Sequence, residues 1–253
     1  MNEKQAFESV ILPREFEDAW VTTPNRKKNS MSKKRIGALI IGQSPRLDLV
    51  APLEQLLPDF EILQAGALDD VKRGDLTGLT NAAYPLVTRM QNGYTVMVEE
   101  SFIAPRLQQA LTRLETKDTV ATILLCAGTF ADLHGIKPLF KPFDIGYSVL
   151  KALNIKTVGL ITPVVEQEVP ICQRWKSVGF QPIVWTADLG KQDKVFYQQL
   201  IEYVHRYGLE SIVLDYVGHP IDQVRQLQAS IDLPVFDLGY LAMVTLASTL
   251  KFA

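Results

Sequence analysis

Short unbroken apolar runs alternate along the chain with stripes at helical spacing. Ile36–Ile41 is a continuous apolar run that ends at Gly42, the pattern of a strand buried on both faces. Over Arg46–Leu57 the apolar positions are Leu47, Val50, Leu53, Leu56 and Leu57, which lie along one face of a helix. The same reading predicts strands at Phe60–Gln64, Tyr94–Val98 and Thr119–Leu125 and a helix over Phe102–Leu114. A further short strand and helix run to Leu153, and Gly66–Leu79 reads as a loop. The second half predicts strands at Thr157–Ile161, Gln181–Thr186, Ser211–Leu214 and Val235–Phe236. Helices fall between and after them, over Val164–Ser177, Asp193–Tyr207, Ile221–Ser230 and Tyr240–Leu250. Strands alternating with helices of this size indicate βαβ units and mostly parallel sheets.

The two halves also match one another. Phe143-Asp144-Ile145-Gly146-Tyr147 aligns with Phe236-Asp237-Leu238-Gly239-Tyr240. TILLCAGTF (122–130) aligns with SIVLDYVGH (211–219), which sets Cys126 against Tyr216. RIGALIIG (35–42) aligns with TVGLITPV (157–164), with Gly37 on Gly159. Three matched blocks in one order imply two similar lobes related by an approximate two-fold. The predicted fold class is therefore α/β, with two pseudo-symmetric parallel-sheet lobes and a cleft between them. The expected division is a flexible extension over 1–34, a first lobe over 35–153 and a second over 154–253, with helix 240–250 a candidate to pack on the first. Each Asp of the Phe-Asp-x-Gly-Tyr repeat reads as a helix cap, a structural role. Residues 1–34 carry no surviving period across Pro13 and Pro24, and Met31 stands just before the first strand as an alternative start.

Composition narrows the function classes. The net charge is −2 and the pI about 6.0, which argues against nucleic acid as a partner. No apolar stretch approaches the ~18 residues of a membrane span, and the first residues lack the layout of a signal peptide. Two cysteines cannot form a disulfide framework. A cytoplasmic protein is the expectation. There is no P-loop, no Gly-x-Gly-x-x-Gly after a strand, no zinc spacing and no Gly-x-Ser-x-Gly elbow, so no cofactor and no metal are indicated.

Ligands bind beyond the carboxyl ends of parallel strands, so Gly42–Arg46, Cys126–Phe130, Thr162–Val165 and Tyr216–His219 are expected to converge. Gly42-Gln43-Ser44-Pro45-Arg46 joins a strand to a helix, where backbone N–H groups and the helix dipole favour an anion. Arg46 is placed to clamp a carboxylate, and Thr129 and Thr162 to donate hydroxyls to it. The same spacing also fits a plain helix start with Ser44 as N-cap and Pro45 in the first turn. The loop Gly66–Asp70 and the Glu99-Glu100-Ser101 turn are candidates to shape the pocket, with their acidic groups read as solvated.

GALIIGQSPRLD (37–48), GALDD (66–70), LLCAGTF (124–130), VGLITPVVEQ (158–167) and LDYVGHP (214–220) together resemble the AroM family. That family looks like a branch of the aspartate/glutamate/hydantoin racemase superfamily. The resemblance implies a cleft between two lobes, one cysteine per lobe, and proton transfer next to a carboxylate without a cofactor. Cys126 stands at the first-lobe position, but the second is Tyr216. The following turns read Cys126-Ala127-Gly128-Thr129 and Tyr216-Val217-Gly218-His219, with Thr129 and His219 each one place later than the superfamily pattern and Gly128 and Gly218 in matching places.

With the strand-end reading, the resemblance makes Cys126, Tyr216 and His219 the catalytic candidates, Tyr216 fitting equally an aromatic wall and His219 a turn residue facing water. Gln43, Ser44, Arg46, Gly128, Thr129, Thr162 and Gly218 are the candidates to bind a small carboxylic acid. A strand end beside a helix N-terminus is expected to lower the thiol pKa. One thiol opposite one phenol favours a one-sided isomerase, lyase or decarboxylase step over two-base racemisation. It fits equally a non-catalytic binding or sensing protein. A homodimer is a further expectation by analogy.

Overall fold

The computed structural model describes residues 33–72 and 85–251. The expected extension lies outside the described residues apart from residues 33 and 34, as does the end of the Gly66–Leu79 loop. The first half contains β1 (Arg35–Ile40), α1 (Leu47–Leu56), β2 (Glu61–Gly66), β3 (Pro85–Arg89), β4 (Thr95–Glu99), α2 (Glu100–Glu115), β5 (Thr119–Leu124), β6 (Leu139–Phe140) and α3 (Pro142–Ala152). The second contains β7 (Thr157–Thr162), α4 (Glu168–Ser177), β8 (Gln181–Thr186), α5 (Lys194–Tyr207), β9 (Ser211–Leu214), α6 (Ile221–Ser230), β10 (Val235–Asp237) and α7 (Leu238–Lys251).

Two parallel four-stranded sheets form, in the orders β2-β1-β5-β6 and β10-β9-β7-β8. Each begins with its central strand, adds the next on one side and the last two on the other. The repeat seen in the sequence is therefore a repeat of topology. Gly37 and Gly159 are each third in the first strand of their sheet, and a Cβ at either would meet a packed side chain, Thr122 at 2.5 Å or Leu209 at 2.6 Å.

Helices cover both faces of each sheet. In the first, Leu39 and Leu124 face Ile103, Leu107 and Leu111 of α2, while Ile36, Ala38 and Ile123 face Val50 and Leu53 of α1 and Ala242 and Leu246 of α7. In the second, Val158, Leu160 and Val213 pack with Trp175 of α4 and with Phe143 and Leu150 of α3, while Ile161, Ile212 and Leu214 meet α5 and α6. The last helix of each half thus packs on the sheet of the other. The local signals for these helices are ordinary. Asp193 accepts from the Phe196 N–H at 2.9 Å to start α5, and Gly208 ends it with φ +57°.

Two cap expectations need correcting. Asp237 does cap α7, accepting the Tyr240 N–H at 2.9 Å. Asp144 does not cap α3, which already begins at Pro142; Asp144 pairs instead with Lys141 Nζ at 2.8 Å. Proline lacks an N–H and has a helical φ, so it carries the start upstream. Ser44 does not cap α1 either, because α1 begins at Leu47 and Ser44 is held elsewhere. Its N–H and hydroxyl both bond the Asp69 carboxylate, at 2.7 and 3.0 Å. Asp69 also accepts the Gly66 N–H at 2.8 Å, so it organises its loop and is not merely solvated.

β3 was not expected. It pairs antiparallel with β4 and belongs to neither large sheet. Leu86, Met90 and Val98 pack this hairpin onto the α2 face of the first sheet.

Candidate functional site

The carboxyl ends of β1, β5, β7 and β9 open on one cavity of about 270 Å³. Arg46, Cys126, Gly128 and Tyr216 line it, together with Pro163, the residue after β7. The hairpin supplies a wall through Leu86, Val87, Thr88 and Arg89 of β3 and Thr95 of β4.

Cys126 follows β5 by two residues, and the Gly128 N–H points back at its sulfur at 3.3 Å. That bond favours a thiolate, as does the nearby Arg174 cation. Burial outweighs both, and with Glu100 and Asp215 close by the thiol is pushed up to about 11. The expected lowering is therefore reversed, and burial keeps Cys126 as the neutral thiol at neutral pH. Glu100, in the first turn of α2, is itself raised by burial, and a backbone hydrogen bond from Phe130 and the Arg174 charge oppose the rise.

Tyr216 forms part of the opposite lining. Burial, with the charges of Asp188 and Asp237 adding, holds its phenol well above the ordinary range. His219 lies behind Tyr216 and outside the cavity lining, its ring 3.7 Å from the Tyr216 ring between centroids. Its side chain is 1% exposed, and Nδ1 meets Asp237 Oδ2 at 2.9 Å. Nε2 is buried without a hydrogen-bond partner.

The other expected binding residues divide by what already holds them. Arg46 lines the cavity, but its guanidinium grips Asp48 in two bonds of 2.8 and 2.6 Å, which lowers the Asp48 pKa. Gln43 is a tie to the hairpin: its Oε1 accepts the Gln91 N–H at 2.8 Å and its Nε2 donates to Val71 O at 3.0 Å. Thr162 is buried and donates to Gln167 Oε1 at 3.1 Å, and Gln167 donates on to Pro85 O at 2.9 Å. Thr162 and Gln167 therefore hold the hairpin from the second lobe, as Gln43 does from the first. Thr129 offers its carbonyl to Lys141 Nζ at 3.3 Å. Gly218 has φ +106°, and a Cβ there would stand 2.6 Å from Leu49 Cδ2 of α1. Gln43, Ser44, Thr129, Thr162, Gly218 and His219 are all outside the cavity lining.

Three contributors went unread in the sequence. Arg89 is an exposed cation on β3 at the cavity, close enough to Asp48 to help lower its pKa. Arg174 and Asp215 form an ion pair at 2.6 Å, with side chains 6% and 0% exposed, and both reach the cavity. Burial raises the Asp215 pKa against the pull of Arg174 and of the Trp175 indole N–H, which bonds it at 2.7 Å. The signal for Asp215 was a carboxylate directly after an apolar strand, where a charge needs a partner.

Among the described residues, no three His, Cys, Asp or Glu side chains are grouped to hold a metal ion, and no helix is long and apolar enough to cross a membrane.

The fold has counterparts in solved structures. An aspartate racemase homologue from Pyrococcus horikoshii OT3 superposes with a TM-score of 0.57 at 16% identity, covering 85% of this chain and 99% of that one. The maleate isomerase Iso from Pseudomonas putida S16 gives 0.56 at 11%, covering 86% and 93%. Unliganded arylmalonate decarboxylase gives 0.59 at 12%, covering 85% and 92%. At these identities the likeness establishes a shared fold, the racemase-type pair of α/β lobes. No curated protein matches the chain in sequence. Residues 36–250 match the family described as AroM protein.

Proposed function

The chain belongs to the AroM family, and from that premise we propose that its cleft binds a small carboxylic acid and that Cys126 transfers a proton at the carbon alpha to the carboxylate. The observation that carries this reading is the Cys126 turn. A thiol at a strand end lines a cavity between two lobes, oriented by the Gly128 N–H and kept protonated by burial. Racemase-, isomerase- and decarboxylase-named proteins of the same fold support the general kind of reaction.

A thiol with its pKa near 11 is poorly suited to begin by abstracting a proton and well suited to finish by giving one. The favoured step is therefore one-sided. The bond broken is the one from the alpha carbon to a second carboxylate, which leaves as carbon dioxide, and its electron pair delocalises into the remaining carboxylate as an enediolate. Cys126 Sγ–H then donates its proton to that carbon, and the thiolate recovers a proton from solvent. Arg46 and Arg89 stabilise the enediolate charge electrostatically. Tyr216 closes the opposite face, where its protonated phenol is a hydrogen-bond donor.

The test is proton exchange in deuterated water. The protein is incubated with amino, hydroxy and dicarboxylic acids, geminal dicarboxylic acids among them, and the alpha carbon is followed by NMR for loss of its proton or for deuterium taken up as carbon dioxide leaves, beside Cys126→Ser. Exchange that falls by about 10²–10⁴-fold in the variant supports the reading, since acid–base groups contribute on that scale. Arg89→Gln weakens binding of the same acid by about tenfold or more, the worth of one charge-assisted bond.

A second reading has its own observation, the phenol in place of a second thiol. It makes the protein a carboxylate-binding or sensing protein. Ligand binding by thermal shift with no exchange across the panel favours it and overturns the catalytic reading.

A further inference from the structure

Each lobe brings one candidate acid to the cleft, and the two come from different sheets. Cys126 follows β5 and Tyr216 follows β9. One side chain reaches both turns. Arg174, on α4, donates from Nη1 to the carbonyl of Ala127, the residue after Cys126, at 2.9 Å. From Nη2 it donates to both carboxylate oxygens of Asp215, the residue before Tyr216, at 2.6 Å. The guanidinium also lies 4.5 Å from the centre of the Phe143 ring on α3, the helix that the first half lends to the second sheet.

A buried ion pair is a weak source of stability, because desolvation offsets most of the attraction. A guanidinium instead fixes direction, since its planar fork presents several donors in set geometry. Here the fork spans two lobes at the point where they share a cavity. The Arg174 charge also eases ionisation of Cys126, while that of Asp215 opposes it.

We infer that Arg174 is a positioning residue: locked to Asp215, it yokes the two turns and sets how the Cys126 thiol and the Tyr216 phenol face one ligand. This deepens the catalytic reading and rests on it for its purpose, but the thiol can be read directly.

The experiment uses the full chain carrying Cys172→Ser, which leaves Cys126 as the one cysteine. Iodoacetamide alkylation is measured from pH 7 to 11, alongside the deuterium exchange described above. The double variant Arg174→Met/Asp215→Leu removes both charges and strands neither. Arg174→Lys keeps the charge and loses the fork. We expect the double variant to melt cooperatively while its alkylation rate at pH 9 changes by about threefold or more and exchange falls by about tenfold or more. Arg174→Lys shows the same loss of exchange with a melting temperature near the parent's. A folded double variant with parental alkylation and exchange overturns the inference. If the double variant does not melt cooperatively, Arg174→Lys decides, and parental alkylation and exchange in it overturn the inference. If the parent exchanges no acid, the catalytic reading falls alone: a shifted alkylation profile still supports the yoke, and an unchanged one overturns it.

Discussion

After β5 the chain turns through Cys126-Ala127-Gly128, and after β9 through Tyr216-Val217-Gly218; the sequences align, but the supports behind them differ. The first turn holds a small thiol and is backed by charge: Glu100, Arg174 and Asp215 all act on the sulfur. The second holds a large phenol and is backed by a ring, the buried imidazole of His219 anchored on Asp237. A thiol in the open end of a strand needs its orientation imposed through the backbone, which Arg174 does at Ala127. A phenol can be oriented by packing alone. The repeat therefore preserved the strand ends while each lobe solved the turn and the placement of its own group.

Removing the charged support is the hardest way to break this contrast. Asp215→Ala leaves the Arg174 guanidinium buried and uncompensated, and should cost about 3–5 kcal/mol in chemical denaturation. Removing the ring support is milder. His219→Ala leaves Asp237 still accepting the Tyr240 N–H, so a loss of about 1–3 kcal/mol is expected, with Tyr216 fluorescence changed and Cys126 alkylation unaltered. A change in the alkylation would show that the two supports are coupled.

The glycines sharpen the contrast further. Gly218 alone of the matched pair has a positive φ and would also press a Cβ on Leu49. Gly218→Ala should therefore destabilise by about 1–2 kcal/mol in the same assay.

The smallest effect is the alkaline limb of stability. Cys126 is raised from an ordinary 9.0 to about 11, and Tyr216 and Tyr203 are raised from 10.0. The native state therefore keeps protons that the unfolded chain has released. Stability from these groups is complete below about pH 9 and declines as pH rises toward 11. A thermal melt series should show the decline beginning near pH 9, and in Cys126→Ser about one unit later, where the tyrosines begin.

Most of the fold was legible because it is local. The runs at Ile36–Ile41 and Thr157–Ile161 and the stripe on α2 each declare an element within a dozen residues. The matched blocks carried the two-lobed arrangement, since both sheets share one strand order. The hairpin was not legible: β3 pairs only with β4, and Pro85-Leu86-Val87-Thr88-Arg89 is too short and mixed to declare its own period. At the site, Cys126 and Tyr216 could be placed in the cleft because they follow strands. Gln43, Ser44 and Thr162 also follow or end strands, but polar groups there must satisfy buried backbone and neighbouring loops first. Arg174 looks in the sequence like any cation in the last turns of a helix, and its partner lies 41 residues away, where no pattern along the chain can reveal it.

The exchange of α3 and α7 between the sheets has a consequence for how such a chain can arise. A half-length ancestor would carry a terminal helix with no surface of its own to cover and a sheet face left bare. Two copies could satisfy each other by trading those helices, with the shared cleft appearing between them at once. Joining the copies end to end would put both lobes on one chain and release the two strand ends to diverge, one keeping a thiol and the other a phenol, without reopening the fold.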